Sequence, residues 1–238
     1  MSKIVITGAT SGIGEGLAKH YANSGDEVIA CGRNQEILSD LQRNFAMTPK
    51  AFDLTDPEAI KSNFADVDEL DLVILNAGGC EYIDNANEFD GKLFERIMRI
   101  NLISVGHCLE VLLPKIKSHG QLCIVSSSSS YLPLPRAEAY GASKAALSYL
   151  ARTLSVTLKN IDVTVVHPGF VETPLTDKND FPMPCKVSVD EAVERIVDGV
   201  AKRDKEVHFP KRFTLILKLF RLLPFALWSP IAKRIARG

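Results

Sequence analysis

The sequence predicts an α/β protein, a single doubly wound parallel-sheet domain with helices on both faces. Three observations predict it. Short continuous apolar runs rich in β-branched residues recur along the chain, segments of helical periodicity separate them, and a glycine-rich turn joins the first run to the first helix. Strands covered on both faces need uninterrupted hydrophobicity rather than alternation. Strand, helix, strand at this spacing implies right-handed crossovers between parallel neighbours.

In chain order, residues 3–7 (Lys-Ile-Val-Ile-Thr) give a first strand and 13–24 a helix. Residues 27–31 give a second strand, 34–46 a helix, and 51–53 a weaker strand candidate, followed by a helical pattern at 57–64. Strands at 71–75, 121–125 and 162–166 alternate with long helical patterns at 92–117 and 140–159. A further helix at 189–202 has Ser188 in N-cap position and Glu191 three residues on, a capping-box pattern. No internal repeat stands out, and the one biased segment is the serine run 126–130.

With 238 residues the chain can bury a full core as one domain, and 46% hydrophobic and 24% charged residues are ordinary for a soluble globular protein. A net charge of −1 argues against nucleic acid as a partner. The cysteines, Cys31, Cys80, Cys108, Cys123 and Cys185, are odd in number and lack C-x-x-C pairing. That pattern argues against a disulfide framework or a zinc site and for a reducing, cytoplasmic setting. The apolar stretch after Met1 is too short for a signal peptide, and no run of about 18 apolar residues suggests a spanning helix. His20, His107, His119, His167 and His208 lack metal spacing or a nucleophile partner, so they read as core or surface histidines and no metal is expected.

The charge is unevenly spread. From Val207 onward there are seven Lys or Arg and no Asp or Glu, which leaves −8 on the rest of the chain. Lys211, Thr214, Lys218 and Arg221 recur at three- and four-residue intervals as a narrow cationic stripe amid Phe213, Leu215, Ile216, Leu217, Leu219, Phe220, Leu222 and Leu223. After Pro224 a second helix presents Leu227, Trp228, Ile231 and Ile235 on one side, with Lys233, Arg234 and Arg237 elsewhere. A wide apolar face edged with basic residues and a Trp suits an interfacial helix, too short to span a bilayer, at the inner membrane surface. The same pattern suits a cap over a pocket or a subunit interface, so all three roles stand open for 211–238.

The turn after the first strand reads Thr7-Gly8-Ala-Thr10-Ser11-Gly12-Ile13-Gly14. Gly8 permits a tight turn, Gly12 lets backbone approach a pyrophosphate, and Gly14 lets the helix pack closely on the sheet. The helix N-terminus adds free N–H groups and a positive dipole end. A dinucleotide is therefore expected here. At the end of the second strand the chain has Gly32-Arg33-Asn34 where a carboxylate would favour a free ribose 2′-hydroxyl. Arginine matches a 2′-phosphate instead, which favours NADP(H).

Tyr140-Gly-Ala-Ser-Lys144 places a phenol and an ammonium on one helical face. A nearby cation favours a phenolate over the unperturbed tyrosine pKa of about 10, which makes the pair a candidate acid–base device.

Taken with the Gly-x-x-x-Gly-x-Gly turn, Tyr-x-x-x-Lys makes the sequence resemble the short-chain dehydrogenase/reductase family, compact type, from about Lys3 to about Lys202. The resemblance implies a Rossmann-fold catalytic domain over 1–206, with a substrate loop at 174–188, followed by the amphipathic basic helices of 207–238. It implies that Asp53 and Leu54 meet the adenine and that Asn76, Ala77 and Gly78 line the cofactor. Asn101 would hold a helix kink and a relay water, and Ser127, thirteen residues before Tyr140, would bond the substrate oxygen. Pro168, Gly169, Val171 and Thr173 would lie beside the nicotinamide. Tyr140 would act as acid in reduction and base in oxidation, while Lys144 would lower its pKa and bind the nicotinamide ribose.

The substrate is then a small carbonyl or alcohol compound touching Ser127 and Tyr140. Leu175, Phe181 and Met183 from the loop offer apolar contacts, with Tyr131, Leu132 and Leu134 as an opposite wall, which points to an apolar or lipid-like molecule. A homodimer or homotetramer through 92–117 and 140–159 is implied by the family. Competing readings are a non-catalytic NADP(H) sensor, a sugar-nucleotide epimerase and a membrane-associated interaction protein of the same fold. A pure sensor has no use for the serine–tyrosine pair.

Overall fold

The computed structural model describes residues 1–235. Seven strands, β1 (Lys3–Thr7), β2 (Glu27–Gly32), β3 (Thr48–Ala51), β4 (Leu70–Leu75), β5 (Ile116–Val125), β6 (Ile161–Pro168) and β7 (Glu206–Phe209), form one sheet. Every pairing is parallel, in the order β3-β2-β1-β4-β5-β6-β7. The order reverses between β1 and β4, and the crevice outside the strand C-termini at such a switch is where doubly wound sheets take ligands.

Helices cover both faces. On one side α1 (Gly12–Asn23), α2 (Gln35–Phe45) and α7 (Val189–Ala201) pack Leu17, Leu38, Leu41 and Ile196 onto Ile4, Ile6, Val28 and Val166. On the other, α3 (Pro57–Asn63), α5 (Ser104–Leu112) and α6 (Glu138–Thr157) pack Ile60, Leu112 and Leu147 onto Val5, Val73 and Ile124. Consecutive residues Ile4, Val5 and Ile6 thus serve opposite cores, which is why the strand runs show no alternation. The α7 start follows its sequence signal, with the Ser188 hydroxyl accepting the Glu191 N–H at 3.1 Å.

Three elements differ from expectation. The third strand lies at Thr48–Ala51 rather than 51–53, a short edge strand carrying Pro49, which only an edge tolerates. The helix expected over 92–117 is α4 (Gly91–Met98), a π turn at Arg99–Ile103, and α5, with the chain already in β5 at Ile116. By length and composition the run Gly91–Lys115 would suffice to cross a membrane, but it buries Ile97 and packs on the sheet through Val105, Cys108 and Leu112. Finally, β7 pairs with β6 from Val165↔Glu206 to Pro168↔Phe209, so the expected division at 206/207 falls inside a strand. With two apolar residues in four, β7 carries little sequence signal.

The tail forms α8 (Lys211–Arg221) and α9 (Phe225–Ile235). Leu217 and Trp228 close a third core with Tyr131 and Leu132. The stripe of Lys211, Thr214, Lys218 and Arg221 does not face outward as a unit. Thr214 is fully buried, and Lys218 pairs with Glu206 at 2.9 Å. Trp228 is likewise turned inward, its ring 5.7 Å from Phe220 and its indole N–H donating to the Pro133 carbonyl at 3.1 Å. Arg237 lies outside the described residues.

Candidate active site

The glycine turn is shaped by contact. Gly8 and Gly12 sit at φ +68° and +52°, where a side chain is strained, and a Cβ on either would come within 2.9 Å of Ala77 Cα or the Thr173 methyl. Gly14 abuts the Gly8 carbonyl and the Asn76 carboxamide. Ser11 is the extended N-cap of α1 and makes no side-chain cap bond, so the first-turn N–H groups face the turn uncapped. Ile13 anchors that turn in the core, and Thr10 packs on Gly32 at the end of β2. This is a cradle for a phosphate-bearing ligand, and its residues fit a dinucleotide.

Beyond it, Arg33 is exposed and among the described residues makes no ion pair, while its charge helps hold the Asp53 carboxyl below the usual range after the Thr55 N–H bond. Asp53 accepts from both Thr55 N–H and Thr55 Oγ at 2.8 Å, and Leu54 packs on the core. Asn34, the residue after Arg33, starts α2. Its side-chain oxygen accepts the Glu36 and Ile37 N–H groups at 3.1 Å and so caps α2. The Asn76 amide donates to the Thr7 carbonyl at 3.1 Å, and the Thr7 hydroxyl accepts the N–H groups of Asn76 and Ala77 at 3.0 and 3.1 Å.

The catalytic candidates converge around Gly78, where an added Cβ would meet Asn101 Oδ1 at 3.1 Å and Lys144 Nζ at 3.3 Å. Asn101 sits fully buried in the π turn. It accepts the Gly79 N–H at 2.7 Å and donates to the Gly79 carbonyl and the Ser143 hydroxyl at 2.9 Å. Ser143 in turn donates to the Tyr140 carbonyl at 2.7 Å, a link that sequence reasoning missed. Lys144 donates to the Val125 carbonyl at 3.0 Å and lies 5.9 Å from the Tyr140 ring centre. Within the serine run, Ser126 is committed to the Lys144 carbonyl and the Ser148 hydroxyl. Ser127 is the member whose hydroxyl acts on Tyr140.

Burial dominates the electrostatics of the pair: it pushes Tyr140 up, Cys80 adds to the rise, and the Ser127 hydroxyl pulls the other way. Burial also brings Lys144 down to about 8, because desolvation disfavours its charge. The phenol therefore holds its proton at neutral pH, as a proton donor must. Cys80 is a thiol pushed up by burial and so poorly nucleophilic. All five cysteines are free.

In the loop expected to meet substrate, Phe181 meets Tyr82 at 5.4 Å and Phe170 at 6.1 Å, and Met183 Sδ accepts from Asn179 at 3.3 Å. Leu175 is 39% exposed on the turn after Thr173. Tyr82, whose phenol is raised chiefly by burial and also by Cys80 and Tyr140, belongs to the site although no sequence pattern marks it. Arg136 lies over its ring and is bound by Asp84 and Asp180 at 2.7 and 2.8 Å. Val171 is buried in the core, paired with Val187, and the Gly169 N–H, following Pro168, donates to the Phe209 carbonyl at 2.7 Å.

Tyr131, Leu132 and Leu134 pack in the tail core and at the same time line a cavity of about 590 Å³ between the serine loop, α6 and α9. Tyr131 is 4% exposed, stacks on His167, and donates to Glu206 at 2.8 Å. Glu206 sits at about 2, since Lys218 and Tyr131 outweigh the burial that alone would raise it. His167 is a core histidine as expected, lowered to about 4 by burial, but its Nδ1 lies 3.2 Å from the Ser127 carbonyl. Its Nε2 has no hydrogen-bond partner among the described residues and lies 3.7 Å from Glu206. No group of metal-binding side chains occurs among the described residues.

Fold and site together define a class: a doubly wound dinucleotide-binding scaffold with a buried tyrosine–lysine pair beside its glycine turn. Residues 2–205 match the sequence profile described as short chain dehydrogenase. An "uncharacterized oxidoreductase" of Myxococcus xanthus (strain DK1622) is 33% identical over 97% of this chain and 96% of its own length. A fatty acyl-CoA reductase of Acinetobacter baylyi (strain ATCC 33305 / BD413 / ADP1) is 33% identical over 85% of this chain and 74% of its own. A solved short-chain dehydrogenase from Sphingobium yanoikuyae in complex with NADPH shares the fold with TM-score 0.78 at 21% identity, over 98% of this chain and 93% of that one. The chain belongs to the short-chain dehydrogenase/reductase family.

Proposed function

We propose that this chain is an NADP(H)-dependent oxidoreductase that interconverts a carbonyl and an alcohol on an apolar or lipid-like molecule, with Tyr140 as general acid and base. The observation that carries the reading is the meeting of Asn101, Ser127, Tyr140 and Lys144 beside the glycine cradle. A bound nicotinamide supplies the hydride. The protein's part is to polarise the substrate oxygen and to move one proton.

Tyr140, kept protonated by burial, donates that proton as the carbonyl oxygen gains charge. Ser127 Oγ accepts the Ser129 N–H at 3.2 Å, which leaves its own O–H to donate to the same oxygen. Lys144 remains largely charged at pH 7 and stabilises the phenolate left behind. Asn101 and Ser143 fix the helix that carries both groups. In the oxidative direction Tyr140 takes the proton back.

Arg33, exposed at the end of β2, would take the 2′-phosphate through its planar fork. The rim supports an apolar substrate, because Tyr82, Phe170 and Phe181 are aromatic and Arg136 is already neutralised by two carboxylates. The fatty acyl-CoA reductase relative points the same way. On α6, Tyr149 and Val156 are 77% and 84% exposed, an apolar face suited to a homodimer or homotetramer.

The test is consumption of NADPH, and of NADH in parallel, against a panel of aldehydes and ketones of increasing chain length. Activity should rise with apolar chain length and favour NADPH, and Arg33→Ala should lower that preference by about tenfold, the worth of one charge-assisted contact. A chain that binds NADPH but turns over no member of the panel is a sensor.

A further inference from the structure

The tail presents an apolar surface that the rest of the molecule does not cover. Of the thirteen large hydrophobic residues that stand exposed, seven lie in α8, α9 and the turn between them. Leu215, Leu219 and Leu222, at 54%, 66% and 80% exposure, fall three and four residues apart on the side of α8 opposite the buried Thr214 and Leu217. Phe225 and Leu227, at 69% and 58%, continue the surface across the turn onto α9. The inward face is held by Trp228 and by Lys218 on Glu206, so the outward face is the one that stays presented.

Its charge selects the partner. Lys211, Arg212, Arg221, Lys233 and Arg234 are exposed around this surface and make no ion pair among the described residues, and no Asp or Glu follows Glu206. A two-fold contact with the same patch of a second copy would set these cations against each other, since an isologous interface pairs a surface with itself. An α8 of 11 residues spans only about 16 Å, half a hydrocarbon core, so it lies on a bilayer rather than across it. We propose that the outward face of the α8–α9 hairpin docks on an anionic lipid surface, with Leu219, Leu222 and Phe225 inserted among the acyl chains and the surrounding Lys and Arg on the headgroups.

Docking is independent of the proposed chemistry, although it bears on the proposed substrate class. Phe213 of the same α8 stacks on Phe170 at 5.7 Å, and Phe170 meets Phe181 of the substrate loop. An aromatic path therefore joins the docked helix to the site.

The experiment is co-sedimentation of the full chain with vesicles of phosphatidylcholine alone or mixed equally with phosphatidylglycerol, at low and high salt. Binding to the anionic vesicles, at least tenfold weaker in high salt or on phosphatidylcholine alone, is expected. Leu219→Glu with Leu222→Glu should cut it at least tenfold while melting temperature and NADPH binding stay unchanged, and both sites are exposed enough to accept the change. Arg212→Ala with Arg234→Ala should weaken anionic binding by a smaller factor. No binding by the natural chain, or undiminished binding by the Leu219/Leu222 variant, overturns the proposal. So does a variant that sediments as a smaller assembly than the natural chain without lipid, because the surface would then be a subunit contact. NADPH turnover is not a readout in any arm, so the lipid result and the catalytic reading stand or fall separately.

Discussion

The catalytic end and the tail invert the usual distribution of residues in opposite ways. Around Gly78 the protein buries what normally stays wet: Asn101 has no exposure and Lys144 is 4% exposed. On the α8–α9 hairpin it exposes what normally stays dry, with Leu222 at 80%. Scattered exposed leucines mean little, whereas a buried charge or a contiguous apolar patch is informative. The two regions also differ in how they are held. Hydrogen bonds tie the catalytic end together, from the Gly79 backbone through Asn101 and Ser143 to the Tyr140 carbonyl. The tail rests on a small apolar core and one half-buried carboxylate, Glu206. Precision is built where atoms react, and adhesion where a surface must meet something else.

The contrast breaks most sharply at Tyr140. Replacing it with Phe keeps the ring and removes the proton, so turnover should fall by about 10²–10⁴ while NADPH affinity holds. A variant with near-normal turnover would move the acid role elsewhere. Next comes the tail's anchor. Trp228→Ala removes a buried side chain from the third core and should cost about 3–5 kcal/mol, seen as a lower melting temperature and earlier proteolysis within α9. Turnover at low temperature should largely survive, because the contacts of Trp228 are to Phe220 and the Pro133 carbonyl rather than to Tyr140 or Lys144. Equal loss of both would show that the two regions are one unit.

The smallest effect sharpens the buried-charge half of the comparison. Lys144 titrates at about 8 in the folded protein against 10.5 when free. Below pH 8 both states carry the proton and the cost of burying the charge is fully present. Between pH 8 and 10.5 the unfolded chain holds more protons, so stability rises with pH through that window. Lys144→Met should therefore melt higher than the natural chain at pH 7, by roughly 2–4 °C for each kcal/mol relieved, and the gap should close toward pH 10. Turnover should be lost at the same time. A Met variant that melts lower at pH 7 would mean that the Val125 carbonyl bond outweighs the desolvation of the charge.

Legibility followed the reach of the interactions. The sheet core, the Gly8–Gly14 cradle and the Tyr140/Lys144 face rest on local spacing, which a sequence displays directly. The tail-core role of Tyr131 is not legible in the sequence because its partners lie far along the chain, Glu206 being 75 residues away. Trp228 reads as a membrane anchor until its bond to Pro133, 95 residues distant, is seen. Tyr82 and Arg136 meet through a loop contact that no periodicity encodes. The direction of the Tyr140 shift was likewise hidden, because a helical offset says that two groups are near but not how much water remains between them.

The π turn at Arg99–Ile103 fits one residue more into its turn than an α-helix would. Each helical residue advances about 100°, so α4 and α5 are out of phase by that angle, a shift that accompanies the burial of both Ile97 and Val105. Deleting any one residue between 99 and 103 would restore regular hydrogen bonding and rotate one of the two helices off the core. Chain length in this stretch is thereby locked, and a family member could trade side chains here far more readily than it could gain or lose a residue.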